Sequence, residues 1–95
     1  MPQPILPYPH LETWLGAHPH WSIAEGKLHR VFTFDDFSQA FAWMGRIATV
    51  AEAINHHPEW LNVYATVEVW LTTHDAGGLT ALDLQLAEAM EQSHA

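Results

Sequence analysis

Between Phe37 and Thr73 the spacing of apolar residues changes once, from a helical repeat to strict alternation, and a proline marks the change. Phe37, Ala40, Phe41, Met44, Ile47, Ala48, Ala51 and Ile54 recur at three- and four-residue intervals and form one apolar face. This spacing predicts a long helix. Asp35 and Asp36 stand at its start, where negative charge complements the positive helix end. Pro58 limits it, because the residue before a proline is pushed out of the helical region. From Leu61 to Thr73 the period is two. Val63, Ala65, Val67, Val69, Leu71 and Thr73 share one face; Tyr64, Thr66, Glu68, Trp70, Thr72 and His74 share the other. The run is long for one strand and admits a bend or a second strand. A chain that makes this switch packs a long helix against a sheet, with His56 and His57 at the junction.

The flanking segments complete the pattern. Pro2, Pro4, Pro7 and Pro9 make residues 1–10 a loose lead-in, and a short helix is expected over Leu11–Leu15, closed by Gly16. Trp21–Ala24 and Leu28–Phe34 read as two strands joined at Glu25-Gly26-Lys27, with Leu28, Arg30, Phe32 and Phe34 on one face. After Gly77-Gly78, Thr80-Ala81-Leu82-Asp83 has the form of a capping box, with Asp in place of Glu or Gln. Leu79 and Leu84 are placed to staple the start of a final helix that runs to about Gln92. The expected fold is α+β: a four-stranded antiparallel sheet with helices packed on one face, in a single domain over residues 1–95.

Composition narrows what such a domain can do. Three Lys+Arg against eleven Asp+Glu leave no basic stripe for phosphates, so neither direct nucleic-acid binding nor docking on an anionic membrane is expected. Absence of cysteine excludes disulfides, thiolate metal sites and Cys nucleophiles. Met1–Trp14 has no basic residue and no long apolar run, so it reads as neither a secretory signal nor a membrane span, and a cytoplasmic location is expected. Five tryptophans and 48% hydrophobic residues are rich for a 95-residue chain with a thin core, which favours a homo-oligomer.

Eight histidines invite a metal hypothesis, but their placement opposes it. His56 and His57 are adjacent and diverge, no HExxH occurs, and His18 and His20 lie in a Pro-broken loop without a third ligand. No metal is expected. The more informative cluster is Glu52, His56 and His57. Glu52 and His56 are four apart, on one face if the helix persists that far, and a carboxylate beside an imidazole at a helix end suits proton transfer near neutral pH. Spacing alone leaves the simpler alternative, histidine capping of the helix, in front.

Glu52-Ala-Ile-Asn-His56-His57-Pro58, Trp60, Asn62-Val63-Tyr64, Thr73-His74, Gly78-Leu79 and Asp83 together resemble the pterin-4a-carbinolamine dehydratase family. The block from His56 to Tyr64 is nearly diagnostic, and the resemblance extends from about Trp21 to Gln92. It implies a hydro-lyase that removes water from 4a-hydroxytetrahydropterin to give quinonoid dihydropterin, without metal or organic cofactor. Such an enzyme recycles the tetrahydropterin used by an aromatic amino-acid hydroxylase, and homodimers or homotetramers are implied. By resemblance His56, His57 and His74 line the pterin pocket, with His56 and His74 as the proton-transfer pair and His57 positioning.

The resemblance also assigns supporting roles. Glu52 would orient a histidine, Trp21 would stack on the pterin, Pro58 would fix the loop behind the histidines, and Asp83 would belong to the site. Each has a structural alternative: Trp21 as a core aromatic, Asp83 as a helix cap. Asn55 stands where some members carry Asp, and Leu82 where vertebrate members carry Arg. The alternative function is a non-catalytic interaction, assembly or coactivator module of the same fold.

Overall fold

A computed structural model describes residues 3–94. Its elements are α1 (Tyr8–Ala17), β1 (Ser22–Ala24), β2 (Lys27–Thr33), α2 (Phe37–Ile54), β3 (Glu59–Val63), β4 (Thr66–Leu71) and α3 (Ala81–His94). All strand pairings are antiparallel and the sheet order is β1-β2-β4-β3. One sheet face is buried: Leu28 pairs with Leu71 and Phe32 with Val67, and all four are fully covered, as are Trp43 and Ile47 of α2 and Leu86 and Met90 of α3. The opposite face carries Val31, Glu68 and Leu61 in one cross-strand row, with Val31 and Leu61 exposed. The expected α+β fold, a four-stranded antiparallel sheet with helices, is the one observed.

Both ends of α2 are set by short polar side chains. The Gln39 N–H donates to Asp36 Oδ1 at 2.8 Å, so Asp36 is the N-cap. At the other end Asn55 adopts the left-handed conformation (φ 52°, ψ 47°). The His56 N–H then reaches back to the Ala51 carbonyl at 3.0 Å and the Asn55 N–H to that of Glu52 at 3.2 Å. These two bonds form a Schellman motif, with Asn taking the place usually held by glycine. The motif turns the chain inward at His56.

The alternating run divides into two strands. Tyr64, with φ 51°, and Ala65 make the turn, and Asn62 Nδ2 donates to the carbonyls of Tyr64 and Thr66 at 3.1 and 3.0 Å. The hairpin pairs Val63 with Thr66, so parity inverts between the strands. Trp60 and Asn62, opposite Val69 and Val67, take the core side of β3, while Leu61 and Val63 are exposed. The single-face assignment of Val63 with Val67, and the grouping of Tyr64 with Trp70 and His74, are therefore corrected. The first hairpin turns at Glu25-Gly26, both at positive φ as a primed two-residue turn requires.

The proline-rich start is more ordered than its composition suggests. Helix α1 begins at Tyr8, with proline in its first turn, and extends to Ala17. The Leu6 N–H donates to the Leu79 carbonyl at 2.9 Å, and a Cβ on Gly78 would lie 3.4 Å from Ile5 Cδ1. Ile5 and Leu6 are thus held beside the start of α3, and residues 8–10 belong to α1; residues 1 and 2 of the expected lead-in lie outside the described residues. Arg30 faces the core side as its register predicts, stacked over Phe32 at 4.1 Å. Burial lowers its guanidinium from the ordinary arginine value, and the charge of Glu91 opposes that shift.

Candidate active site

Three histidines from two chain segments line one cleft of about 220 Å³, together with Asn55, Thr72, Thr73 and Asp75. His56 and His57 arrive on the segment that follows the Schellman turn. His74 is carried by the four-residue turn His74–Gly77, which the antiparallel bridge between Thr73 and Gly78 closes. Each imidazole has its Nε2 on a carboxylate. His56 Nε2 lies 2.6 Å from Asp83 Oδ1, His57 Nε2 2.6 Å from Glu52 Oε1, and His74 Nε2 3.0 Å from Glu59 Oε2. A carboxylate on one ring nitrogen fixes the ring's orientation and leaves the other nitrogen for a ligand.

The three pairs differ sharply in setting. The His56–Asp83 pair is buried, with Asp83 fully covered and His56 only 8% exposed. Asp83 Oδ2 accepts from the Thr73 hydroxyl at 2.8 Å and the Thr80 N–H at 2.9 Å. The second bond is the reciprocal half of a capping box, so the predicted cap exists and also holds a histidine. The His57–Glu52 pair is exposed. In the third pair Glu59 accepts from Lys27 Nζ at 2.7 Å as well as meeting His74. The Lys27 hydrogen bond, with a smaller contribution from His74, holds the Glu59 carboxyl below its usual range against a weaker desolvation effect.

The Glu52–His56 pair expected on one helix face does not form. Helix α2 ends at Ile54, and the left-handed Asn55 swings His56 toward α3 and leaves His57 to Glu52. Glu52 therefore orients a histidine, but a different one. Pro58 lies between the histidines and the first residue of β3, half-buried and outside the cleft lining. Trp21 is not brought to the cleft. It is a buried core aromatic, edge-on to Phe32 at 5.8 Å, with its Nε1 donating to Glu91 at 3.0 Å. The shallow depression beside it, lined by His18, Glu88, Glu91 and Gln92, has its carboxylates occupied by Trp14, Trp21 and His18.

Sequence reasoning did not find Glu59 as the partner of His74, nor Thr73 as a partner of Asp83. Glu59 could have been found from the register, since it pairs with Trp70 near the end of β4, a few residues before His74. Thr73 carries no signal of its own, because its role depends on where Asp83 lands; Thr80 was marked only as the start of the capping box. Among the described residues no group of three potential metal ligands converges, and no helix is long and apolar enough to cross a membrane.

Comparison with known proteins gives the family. Residues 6–93 match the family profile described as Pterin 4 alpha carbinolamine dehydratase. A Synechococcus sp. (strain WH7803) protein provisionally named pterin-4-alpha-carbinolamine dehydratase is 51% identical over 87 residues, covering 92% of this chain and 94% of that protein. A Rhodopseudomonas palustris (strain BisB18) protein with the same provisional name is 61% identical over 74 residues, covering 76% of this chain and 73% of its own. Among solved structures, a Brucella melitensis protein described as a transcriptional coactivator/pterin dehydratase superposes with a TM-score of 0.91 at 38% identity, over 96% of this chain and 99% of that one. With its fold and almost its whole length accounted for, this chain belongs to the pterin-4a-carbinolamine dehydratase family.

Proposed function

We propose that this protein dehydrates 4a-hydroxytetrahydropterins to quinonoid dihydropterins by histidine acid–base catalysis, without a metal. One observation carries the reading: three imidazoles around a single cleft, each with one nitrogen held by a carboxylate and the other left open. The reaction asks for two proton transfers. The C4a–O bond breaks with its electron pair on oxygen, which takes a proton from an imidazolium and leaves as water. The N5 lone pair forms the C4a=N5 double bond, and the N5 proton passes to a neutral imidazole. Protons balance and no electron carrier is needed.

His56 and His74 form the transfer pair because their settings differ most, one buried on Asp83 and the other exposed beside Glu59. Unlike environments allow one ring to act as acid while the other acts as base. His57, tethered to Glu52 at the rim, positions the pterin. The test follows the absorbance of 4a-hydroxytetrahydropterin, generated by a hydroxylase, as it decays with and without the protein in the presence of a chelator. Acceleration that survives the chelator is expected. Decay at the spontaneous rate would refute the enzyme reading, and acceleration abolished by the chelator would refute the metal-free chemistry.

A further inference from the structure

We propose that Thr73 and the Thr80 amide act as positioning groups that hold Asp83 as a pure acceptor, keep the proton of His56 on Nε2, and leave Nδ1 as the base. The assignment of a reacting nitrogen rests on the dehydratase reading; the hydrogen-bond direction does not. It follows from counting hydrogens. A threonine hydroxyl has one to give, and a carboxylate has none. The Thr73 hydroxyl lies 2.8 Å from Asp83 Oδ2 and 2.8 Å from Thr80 Oγ1. Its hydrogen goes to the carboxylate, so the Thr80 hydroxyl donates to Thr73. The Leu82 N–H, 3.3 Å from Thr80 Oγ1, is consistent with that direction because Thr80 Oγ1 then accepts from it.

Three hydrogen bonds thus run one way, from the Leu82 N–H in the first turn of α3 through the two threonine hydroxyls into Asp83. With the Thr80 N–H also on Oδ2, this oxygen accepts twice and Oδ1 is left to face the ring. His56 Nε2 must then be the donor across the 2.6 Å contact. Among the described residues His56 Nδ1 makes no hydrogen bond and is not fully buried. We take it as the nitrogen that meets a ligand in the cleft that His56 lines. In the reaction, Nδ1 takes the N5 proton, and the departing hydroxyl takes its proton from His74.

The same network makes a prediction about Asp83→Asn. Two donors fixed on the Oδ2 position select the carboxamide oxygen there, which turns the amide nitrogen toward His56. That nitrogen donates, so His56 must accept at Nε2 and carry its proton on Nδ1. The base is then blocked although the ring has not moved. In a catalytic triad the corresponding substitution costs about 10⁴ in kcat through the wrong tautomer.

The experiment is nitrogen-15 NMR of the histidine rings at pH 8, with kcat and KM for each variant. Expected are a His56 protonated on Nε2 in the wild type and on Nδ1 in Asp83→Asn. That variant should lose about 10²-fold or more in kcat with little change in KM. Should Asp83→Asn not fold, Thr73→Val serves: kcat falls less, and Thr73→Ser, which keeps the hydroxyl, recovers it. A wild-type ring protonated on Nδ1, or an Asp83→Asn ring that keeps its proton on Nε2, would overturn the proposal. So would equal kcat in Thr73→Val and wild type. An inactive wild type that showed the tautomer exchange would instead overturn the dehydratase reading and support the hydrogen-bond direction.

Discussion

His56→Ala lowers kcat for carbinolamine dehydration by about 10²–10⁴-fold, down to the spontaneous rate if that floor is reached first. The expectation rests on burial. Of the three cleft histidines only His56 is covered, and only its carboxylate partner is fully removed from water. Inside that cover the ring's orientation is fixed and its partner's field is poorly screened, so proton transfer through it loses most when the ring is removed. His57 sits at the rim with both ring and carboxylate exposed, and His57→Ala should act mainly on KM. His56→Gln separates chemistry from folding, since its amide can still donate to Asp83 while offering no base. A His56→Ala protein with wild-type kcat would remove this residue from the reaction.

Asp83→Ala should destabilise the fold by about 3–5 kcal/mol. It strands three donors at once: the Thr73 hydroxyl, the Thr80 amide and His56 Nε2. All lie in a region where Thr80 is fully buried and Thr73 is 7% exposed, so water cannot readily replace the lost acceptor. The first turn of α3 loses half its capping box in the same step. Glu52→Ala is the contrast. It also deletes a carboxylate 2.6 Å from a histidine, but an exposed one, and the cost should stay below about 1 kcal/mol. Urea unfolding of both variants measures the difference; an Asp83→Ala protein as stable as Glu52→Ala would contradict the buried network.

How much of this was legible in the sequence depends on whether the cause was local. The long helix could be read because eight apolar residues keep its period and Asp36 caps it through a bond only three residues long. The capping box at Thr80–Asp83 was readable for the same reason. That the run could be two strands was readable from its length, but the place of the second turn was hidden because Tyr64-Ala65 contains no Gly, Pro, Asn or Asp. A tyrosine at φ 51° leaves no compositional trace, so alternation seemed to continue across a turn that inverts it. Asn55 was a readable helix stop, since Asn is the common substitute for glycine at that position. Taking Pro58 as the limit instead joined Glu52 to the wrong histidine.

The site was legible as a residue set and not as a wiring. Resemblance placed His56, His57 and His74 together, and the structure brings them to one cleft. The bond from His56 to Asp83 spans 27 positions and depends on α3 packing against the end of α2, which no local pattern encodes. Trp21 shows the converse. Its aromatic face suits a flat ligand, but its indole N–H is committed to Glu91 and its ring to Phe32.

Placement of the pterin on His56, His57 and His74 is tested most directly by titrating nitrogen-15-labelled protein with 7,8-dihydrobiopterin, which lacks the 4a-hydroxyl and cannot react. Amide and ring signals of Asn55, His56, His57, Thr73, His74 and Asp75 should shift together and saturably, while those of Trp14, Trp21 and Glu91 stay in place. Shifts confined to the Trp21–Glu91 region, or none at saturating pterin, would contradict the account.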